Sequence, residues 1–217
     1  SMGYGIDTAA FISDGRLRNV IAVNRTFIGR YLNPLRGWHD HLTVNEAKLI
    51  SRAGLYVVSI FQENNSCPKN KKLHFTAERG IIDARSAVRQ AETVCQPGYT
   101  PIYFAIDYNT QENDFEDYIF PYVNAIFCFL SKKSNNPEHY LFGVYGSKRT
   151  CKNVRGNYSA TERYTWMSYA WRYPSIDFDD WNIKQTSASV VIGAGRTSLP
   201  VDYDESASVG GGGWRYI

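Results

Sequence analysis

The segment Ile102–Tyr108, with the sequence IYFAIDY, decides the fold class. It is apolar at almost every position up to Asp107, and it lacks the alternation of polar and apolar residues found in a strand with one wet face. Such a strand is covered on both faces, which is typical of a parallel sheet surrounded by helices. The acid near its carboxyl end lies where α/β barrels keep their functional groups.

Similar segments recur along the chain and alternate with amphipathic stretches. No GxGxxG or phosphate-binding loop follows any of them, which argues against a nucleotide-binding fold. A chain of 217 residues is long enough for one barrel. We therefore predict an α/β fold, a single (β/α)₈ TIM-like barrel with some short or missing late helices. Its eight strands are predicted at Tyr4–Ala9, Phe27–Leu32, Tyr56–Gln62, Ile102–Tyr108, Leu141–Gly146, Trp166–Trp171, Asn182–Thr186 and Val201–Tyr203.

Helices are predicted between the earlier strands. Thr43 and Glu46 have the spacing of a capping box, and the helix they open ends near Gly54. Ile81–Val94 has helical periodicity, Phe115–Leu130 follows Asp114 as a cap and contains Pro121, and Ser147–Asn153 forms a shorter helix. We expect the barrel to span residues 1–209, with the glycine-rich residues 210–217 as a flexible tail or linker.

Composition narrows the function classes. The net charge is +3, and only Lys69, Lys71 and Lys72 form a tight basic run, which does not indicate a nucleic-acid partner. No apolar stretch is long enough for a membrane span, so no integral membrane contact is expected. The four histidines form no metal-ligand pattern with cysteines or acids, and no metal or cofactor is predicted. Among the cysteines, Cys128 is predicted to be buried, and Cys67 and Cys95 are the pair expected to form a disulfide.

Acidic side chains at the ends of predicted strands indicate a site. Asp7, Asp107 and Asp202 each follow apolar residues, and a lone buried carboxylate is costly. One such acid is more often a helix cap or loop anchor, but three at the mouth of one barrel favour a site in which pKa values are pushed apart. Glycoside hydrolysis needs such an arrangement. We predict these three acids, with Glu63 as a weaker candidate, to be catalytic.

Other polar and aromatic residues at the strand ends are candidates for substrate contact. Aromatic residues make up 15% of the chain, and although most must fill the core, some are placed to stack on sugar rings. The predicted substrate-binding residues are Asn109, Tyr145, Trp171, Gln185, Tyr31 and Asp204.

Six motifs carry a resemblance to a known family: GIDTA, FIGRYL, LTVNEAKLISRAGLYVVSIFQ, PIYFAIDYN, FGVYGS and VDYDES. In this order they resemble the glycoside-hydrolase-like domain family formerly of unknown function, which is similar to the family 25 lysozymes. The resemblance implies a (β/α)₈-like barrel that acts on peptidoglycan or related polysaccharides. It also implies a secreted or cell-wall-associated protein, for which we expect a monomer.

The resemblance assigns roles and also shows a departure. It matches Asp7 to the first-strand acid of family 25, Asp107 to the Asp of its Asp-x-Glu motif and Asp202 to its late acid. Asn109 stands where that motif has its proton-donating Glu, and an amide cannot act as an acid. Two readings remain open: a muramidase-like glycoside hydrolase that takes its proton from another acid, such as Glu63 or Asp204, or a non-catalytic glycan-binding or wall-targeting barrel.

Overall fold

The computed structural model describes residues 2–33, 40–63, 70–159, 163–171 and 173–216. They form a closed barrel in which the eight strands follow one another in chain order, so the predicted barrel is confirmed. The strands are β1 Gly3–Asp7, β2 Phe27–Tyr31, β3 Tyr56–Phe61, β4 Pro101–Ile106, β5 Leu141–Gly146, β6 Tyr164–Met167, β7 Ile183–Ile192 and β8 Leu199–Ser206. The α-helices are α1 Asp14–Ala22, α2 Val44–Arg52, α3 Ala77–Thr93, α4 Phe120–Leu130 and α5 Lys148–Asn157.

The last strand departs from an all-parallel barrel. Strands β1 to β7 run parallel to their neighbours in sequence, whereas β8 is antiparallel to both β7 and β1. Strand β7 extends to Ile192, beyond its predicted end, so that only residues 193–198 connect it to β8. A parallel crossover needs about a dozen residues or more. The expectation that β8 delivers its acids from its carboxyl end is therefore wrong: Asp202 is the fourth of its eight residues.

Helix α2 begins at its predicted cap, whereas α3 begins at Ala77, four residues before its predicted start. Thr43 accepts a hydrogen bond from the backbone N–H of Glu46, but the Glu46 carboxylate turns inward instead of closing the capping box. A short π-helical turn, Phe115–Ile119, precedes α4, and Pro121 lies at the start of the regular helix. Described residues 168–171 and 173–182 between β6 and β7 contain no helix, as expected for a late crossover.

Large side chains fill the barrel interior below the mouth. Trp166 is fully buried and packs edge-on against Tyr103 and Tyr145. Gly29 makes room for it, because a Cβ at that position would lie 2.6 Å from the Trp166 ring and 2.9 Å from the Cβ of Asp7. The missing side chain of Gly29 thus leaves space for both Trp166 and Asp7 at the mouth end of this interior cluster. Its buried members are Phe27, Val58, Ile60, Tyr103, Ala105, Trp166 and Ile183.

The glycine-rich segment packs against the opposite end of the barrel. Trp214 is 2% exposed, forms an antiparallel bridge with Val57, and donates a hydrogen bond from Nε1 to Ser59 Oγ at 2.8 Å. A Cβ on Gly213 would lie 2.6 Å from the Val57 carbonyl oxygen, so a glycine permits this close approach. The described residues 210–216 are therefore part of the packed body, in contrast to the predicted flexible tail.

The cysteines differ from their predicted states. Cys95 is a free, exposed thiol, and its predicted disulfide partner Cys67 lies outside the described residues. Cys128 is exposed on α4 because Val123 and Ile126 bury the other face of that helix. In the described ranges, none of the helices has the length and apolar character needed to cross a bilayer.

Candidate active site

Two of the predicted acids meet at the barrel mouth. Asp7 at the end of β1 is directly opposite Asp202 in the antiparallel register with β8. The Nε2 group of Gln185 donates to Asp7 Oδ2 at 2.8 Å and lies 3.2 Å from Asp202 Oδ2. The backbone N–H of Ser189 binds the other oxygen of Asp202 at 2.8 Å. One amide thus bridges two carboxyl groups that come from opposite ends of the chain.

The carbonyl side of the same amide is fixed by two donors. Gln185 Oε1 accepts hydrogen bonds from the Tyr145 hydroxyl at 3.0 Å and from the Tyr169 backbone N–H at 2.9 Å. Because both donors require an oxygen, the nitrogen of Gln185 must face the acids. The predicted residues Tyr145 and Gln185 therefore hold the acid cluster in place.

Asp204 lies beneath this pair. It is fully buried, accepts a hydrogen bond from Trp166 Nε1 at Oδ1 over 2.9 Å, and is in hydrogen-bonding contact with Asp7. Burial, followed by the neighbouring Asp7, raises its pKa well above the ordinary value. A side chain with no exposed surface does not touch a ligand, so the prediction of Asp204 as a substrate-binding residue is corrected.

The titration of Asp7 reflects this crowding. Burial, and next the charge of Asp202, raise the pKa of Asp7 to about 7, against hydrogen bonds from Asp204 and Gln185 that lower it. Burial also raises the pKa of Asp202, and the Ser189 N–H opposes that shift. Asp7 and Asp202 share the amide of Gln185, so the charge on one of them changes the pKa of the other.

Asp107 lies at the end of β4 and is half-buried. Gln62 Nε2 donates to its Oδ2 at 3.3 Å, and Lys71 Nζ donates to its backbone carbonyl, also at 3.3 Å. Glu63 lines the same small recess of about 20 Å³, but its carboxylate is 3.5 Å from Arg79 Nη2. Of the two acids, Asp107 has no cation against its carboxylate in the described part of the chain, and Glu63 has a partner.

The remaining candidates are less closely tied to the acids. Asn109 is exposed, and its side-chain oxygen accepts a hydrogen bond from the Tyr173 hydroxyl. Trp171 was predicted as the last residue of the sixth strand, but β6 ends at Met167, and Trp171 lies beyond it with a positive φ of 55°. Among the described residues, no hydrogen bond or ring contact joins Trp171 to the acid cluster.

A cavity of about 260 Å³ opens beside the acids. Asp7, Tyr31 and Asp202 line it, together with the start of the β1–α1 loop and part of the β7–β8 hairpin. Burial raises the pKa of Tyr31 most, and the charges of Asp7, Asp107 and Asp202 raise it further. Tyr31 therefore lies in the field of Asp7, Asp107 and Asp202, and the cavity is open to two of these acids, Asp7 and Asp202.

Sequence reasoning missed several residues that build this site. Ser189 and Tyr169 act through backbone N–H groups, which no side-chain pattern discloses. In the sequence Trp166 is indistinguishable from other apolar strand residues. It donates a hydrogen bond to Asp204 because β6 faces β8 across the barrel interior. Lys71 belongs to a short basic run in the sequence, and its hydrogen bond to the Asp107 carbonyl is visible only in the structure.

The family model of the Rv2525c-like, glycoside hydrolase-like domain matches residues 20–206. The chain belongs to the Rv2525c-like glycoside hydrolase-like family. YbfG of Bacillus subtilis strain 168 is 28% identical over 170 residues, which is 75% of this chain and 22% of that protein. The chain thus spans about a fifth of the length of this curated relative.

Solved structures carry the same barrel as this Rv2525c-like chain. The Tat-secreted protein Rv2525c of Mycobacterium tuberculosis, in complex with L-tartrate, has a TM-score of 0.75 and 19% identity over 97% of this chain and 98% of its own. A family 25 glycosyl hydrolase from Bacillus anthracis has a TM-score of 0.51 and 13% identity, covering 94% of this chain and 88% of its own. At these identities the likeness shows a shared fold, and it confirms the resemblance to family 25.

Metal ligation has no candidate in the described ranges. No group of three or more His, Cys, Asp or Glu side chains there is arranged to hold an ion. His41 is exposed, and His39 lies outside the described residues. The acid cluster itself is organised by amide, indole and backbone donors.

Proposed function

We propose that this domain is a glycoside hydrolase that acts on cell-wall glycans of the peptidoglycan type, with β-linked amino sugars, at the acidic mouth. The observation that carries the proposal is the convergence of Asp7 and Asp202 on one cavity, held by Gln185, with Asp107 in the same electrostatic field. Apart from such a site, a protein gains nothing by burying like charges together.

The chemistry needs one group that holds a proton and one that stays charged. With a pKa of about 7, Asp7 is protonated for a large fraction of the time near neutral pH, and it lines the cavity. We assign it as the proton donor that replaces the Glu missing at Asn109. Asp107 is the catalytic carboxylate that stabilises positive charge at the anomeric carbon, with Asp202 assisting. Glu63 is less suited because Arg79 pairs with it.

The same proposal places the protein outside the cytoplasm, at or near the cell wall, as a monomer. Its support is the relative Rv2525c, which is described as Tat-secreted and shares the fold over almost its whole length.

A second candidate function is non-catalytic glycan binding. The observation that favours it is Asn109, which is hydrogen-bonded to Tyr173 at the position of the family 25 proton donor. In that case the cavity and its acids select a glycan without cleaving it.

The test is release of reducing ends from purified peptidoglycan and chitin oligomers. We expect the wild type to release them, and Asp107→Asn and Asp7→Asn to lower the rate at least about 100-fold, as for loss of an acid or base. Glu92→Gln, an exposed acid on α3, is the matched control and keeps the wild-type rate. Binding of oligomers without release by the wild type would instead establish the glycan-binding function. Full turnover by Asp107→Asn would refute the catalytic assignment.

A further inference from the structure

Asp204 is a buried acid for which the proposed reaction has no direct use. It has no exposed surface, and its neighbours in the barrel wall are Gly5 on β1 and Gln185 on β7. Its side chain points into the interior beneath Asp7, where Trp166 approaches it from the far side. A carboxylate at such a place is stable only with strong compensation.

The two oxygens of Asp204 have different surroundings. Oδ1 accepts the indole N–H of Trp166, whose ring is clamped edge-on between Tyr103 and Tyr145. No N–H or O–H group in the described part of the chain donates to Oδ2. The group in hydrogen-bonding contact with Asp204 is the Asp7 carboxyl, which brings oxygens and no hydrogen of its own when ionised. A hydrogen bond between two carboxyl groups requires a proton on one of them.

We propose that Asp204 is a positioning residue that keeps its proton and donates an O–H hydrogen bond from Oδ2 to Asp7. Asp7 then accepts two hydrogen bonds, one from Asp204 below and one from Gln185 at the side. These two donors fix the Asp7 carboxyl at the floor of the cavity, and they limit the rise in its pKa that burial causes, so that Asp7 can release its proton as well as hold it. The inference deepens the proposed function, because it explains how Asp7 is held for its role there.

The location of the proton follows from burial. Asp204 is fully buried, whereas Asp7 lines the cavity and is 7% exposed. The charged form is therefore less costly on Asp7, and the neutral form belongs on Asp204. Other titratable groups face the pair from neighbouring strands and add negative charge or none: Asp202 on β8, Asp107 on β4, Tyr31 on β2 and Tyr145 on β5.

The test uses the full domain and needs no substrate. We would follow the carboxyl carbons by ¹³C NMR from pH 4 to pH 9, with Asp7→Asn and Asp204→Asn as assignment variants. The Asp204 resonance is expected to keep the shift of a protonated acid throughout this range. Titration of Asp204 near its ordinary value would overturn the inference.

Two variants separate positioning from simple filling of space. Asp204→Asn retains a donor toward Asp7 and an acceptor for Trp166, so the midpoint of Asp7 stays within about half a pH unit of wild type. Asp204→Leu fills the space without donating, and since hydrogen bonds to the charged form lower a pKa, the Asp7 midpoint rises by about one unit or more. Equal Asp7 midpoints in the two variants would refute the role. If Leu fails to fold, the wild-type titration of Asp204 alone decides.

The outcome is separable from that of the proposed function. Release of reducing ends is measured with glycans, whereas the proton on Asp204 is observed in their absence. A protonated Asp204 in a protein that cleaves no glycan would uphold the positioning role and reject the hydrolase. An ionised Asp204 in an active enzyme would do the reverse.

Discussion

Two buried polar clusters of this barrel are built on opposite principles. On the outer side of β2, Arg30 and Glu46 form an ion pair at 2.6 Å with both side chains fully buried. Both side chains make further hydrogen bonds: Arg30 donates to the carbonyl groups of Thr8 and Asp40, and Glu46 accepts a hydrogen bond from the N–H of Ile12. At the mouth, Asp7, Asp202 and Asp204 are held together by neutral donors, and no cation of the described residues is paired with them.

The first cluster therefore stabilises the fold, and the second is placed for function. The ion pair cancels its charges and ties the loop after β1 to α2, so it serves the fold. The acids repel one another, and amide and indole donors hold them together at the mouth. Charge that is left unneutralised at a cavity is available to a ligand, and this is the physical ground for assigning the mouth to function.

The largest change in the free energy of unfolding is expected when the Arg30–Glu46 ion pair is broken. Glu46→Gln keeps the shape of the side chain but leaves the Arg30 charge buried and unpaired, which should cost about 3–5 kcal/mol of unfolding free energy. Urea denaturation measures it, with Glu92→Gln on exposed α3 as a control expected within about 0.5 kcal/mol. A loss as small as that of the control would mean that the two clusters do not differ as described.

At the mouth, removal of a charged group is expected to raise the free energy of unfolding. The pKa of Asp7 is about 7 in the folded protein and near 3.8 in the unfolded chain, so between these values only the folded state holds the proton. Ionisation of Asp7 therefore opposes folding, and its contribution to stability falls as the pH rises from about 4 to 7. Asp7→Asn should be more stable than wild type by a margin that grows to the order of 2–4 kcal/mol across this window.

The measurement is urea denaturation of both proteins at several pH values. Asp83, with a pKa raised to about 6 mainly by burial, is present in both and cancels in the comparison. A margin that does not change with pH would show that Asp7 titrates normally.

The smallest effect is expected at the opposite end of the barrel. Trp214→Phe keeps an aromatic ring under the barrel but removes the hydrogen bond to Ser59, and should lower the unfolding free energy by about 1–2 kcal/mol. Reducing-end release or glycan binding should be unchanged, because the mouth lies at the other end. A drop in either activity would mean that the two ends are coupled.

Much of the fold could be predicted because each early strand is a continuous apolar run. The apolar runs in PIYFAIDYN and FIGRYL predict strands that are buried on both faces, and the polar residues after them mark where the strands end. Thr43 correctly predicts the start of α2. The sequence does not predict the antiparallel direction of β8, because it indicates an end of β7 at Thr186 and leaves fourteen residues (187–200), enough for a crossover. Residues 187–189 (Ser-Ala-Ser) have weak β propensity, and the register with β8 shifts there, so the continuation of β7 through residues 190–192 is visible only in three dimensions.

The site could be predicted in part for a related reason. Acids that end apolar runs are conspicuous, and Asp7, Asp107 and Asp202 were found this way. Whether an acid lines a cavity or lies beneath it depends on packing: Asp204 is two residues from Asp202 on the same face of β8, and it is sealed by Trp166. Burial of this kind follows from neighbouring strands, which a single sequence does not display.

The pairing of β8 with β1 also determines the stage of folding at which the acid cluster at the mouth is assembled. The Gln185–Asp7 hydrogen bond joins residues 178 positions apart, and Gly3 pairs with Ser206. During synthesis Asp7 leaves the ribosome long before its partners exist, whereas the β7–β8 hairpin forms from adjacent residues soon after it emerges. Docking of that hairpin onto β1 closes the ring and assembles the acids in one step. A nascent chain that lacks this hairpin has no acid cluster, so the mouth arises with the last part of the barrel to be made.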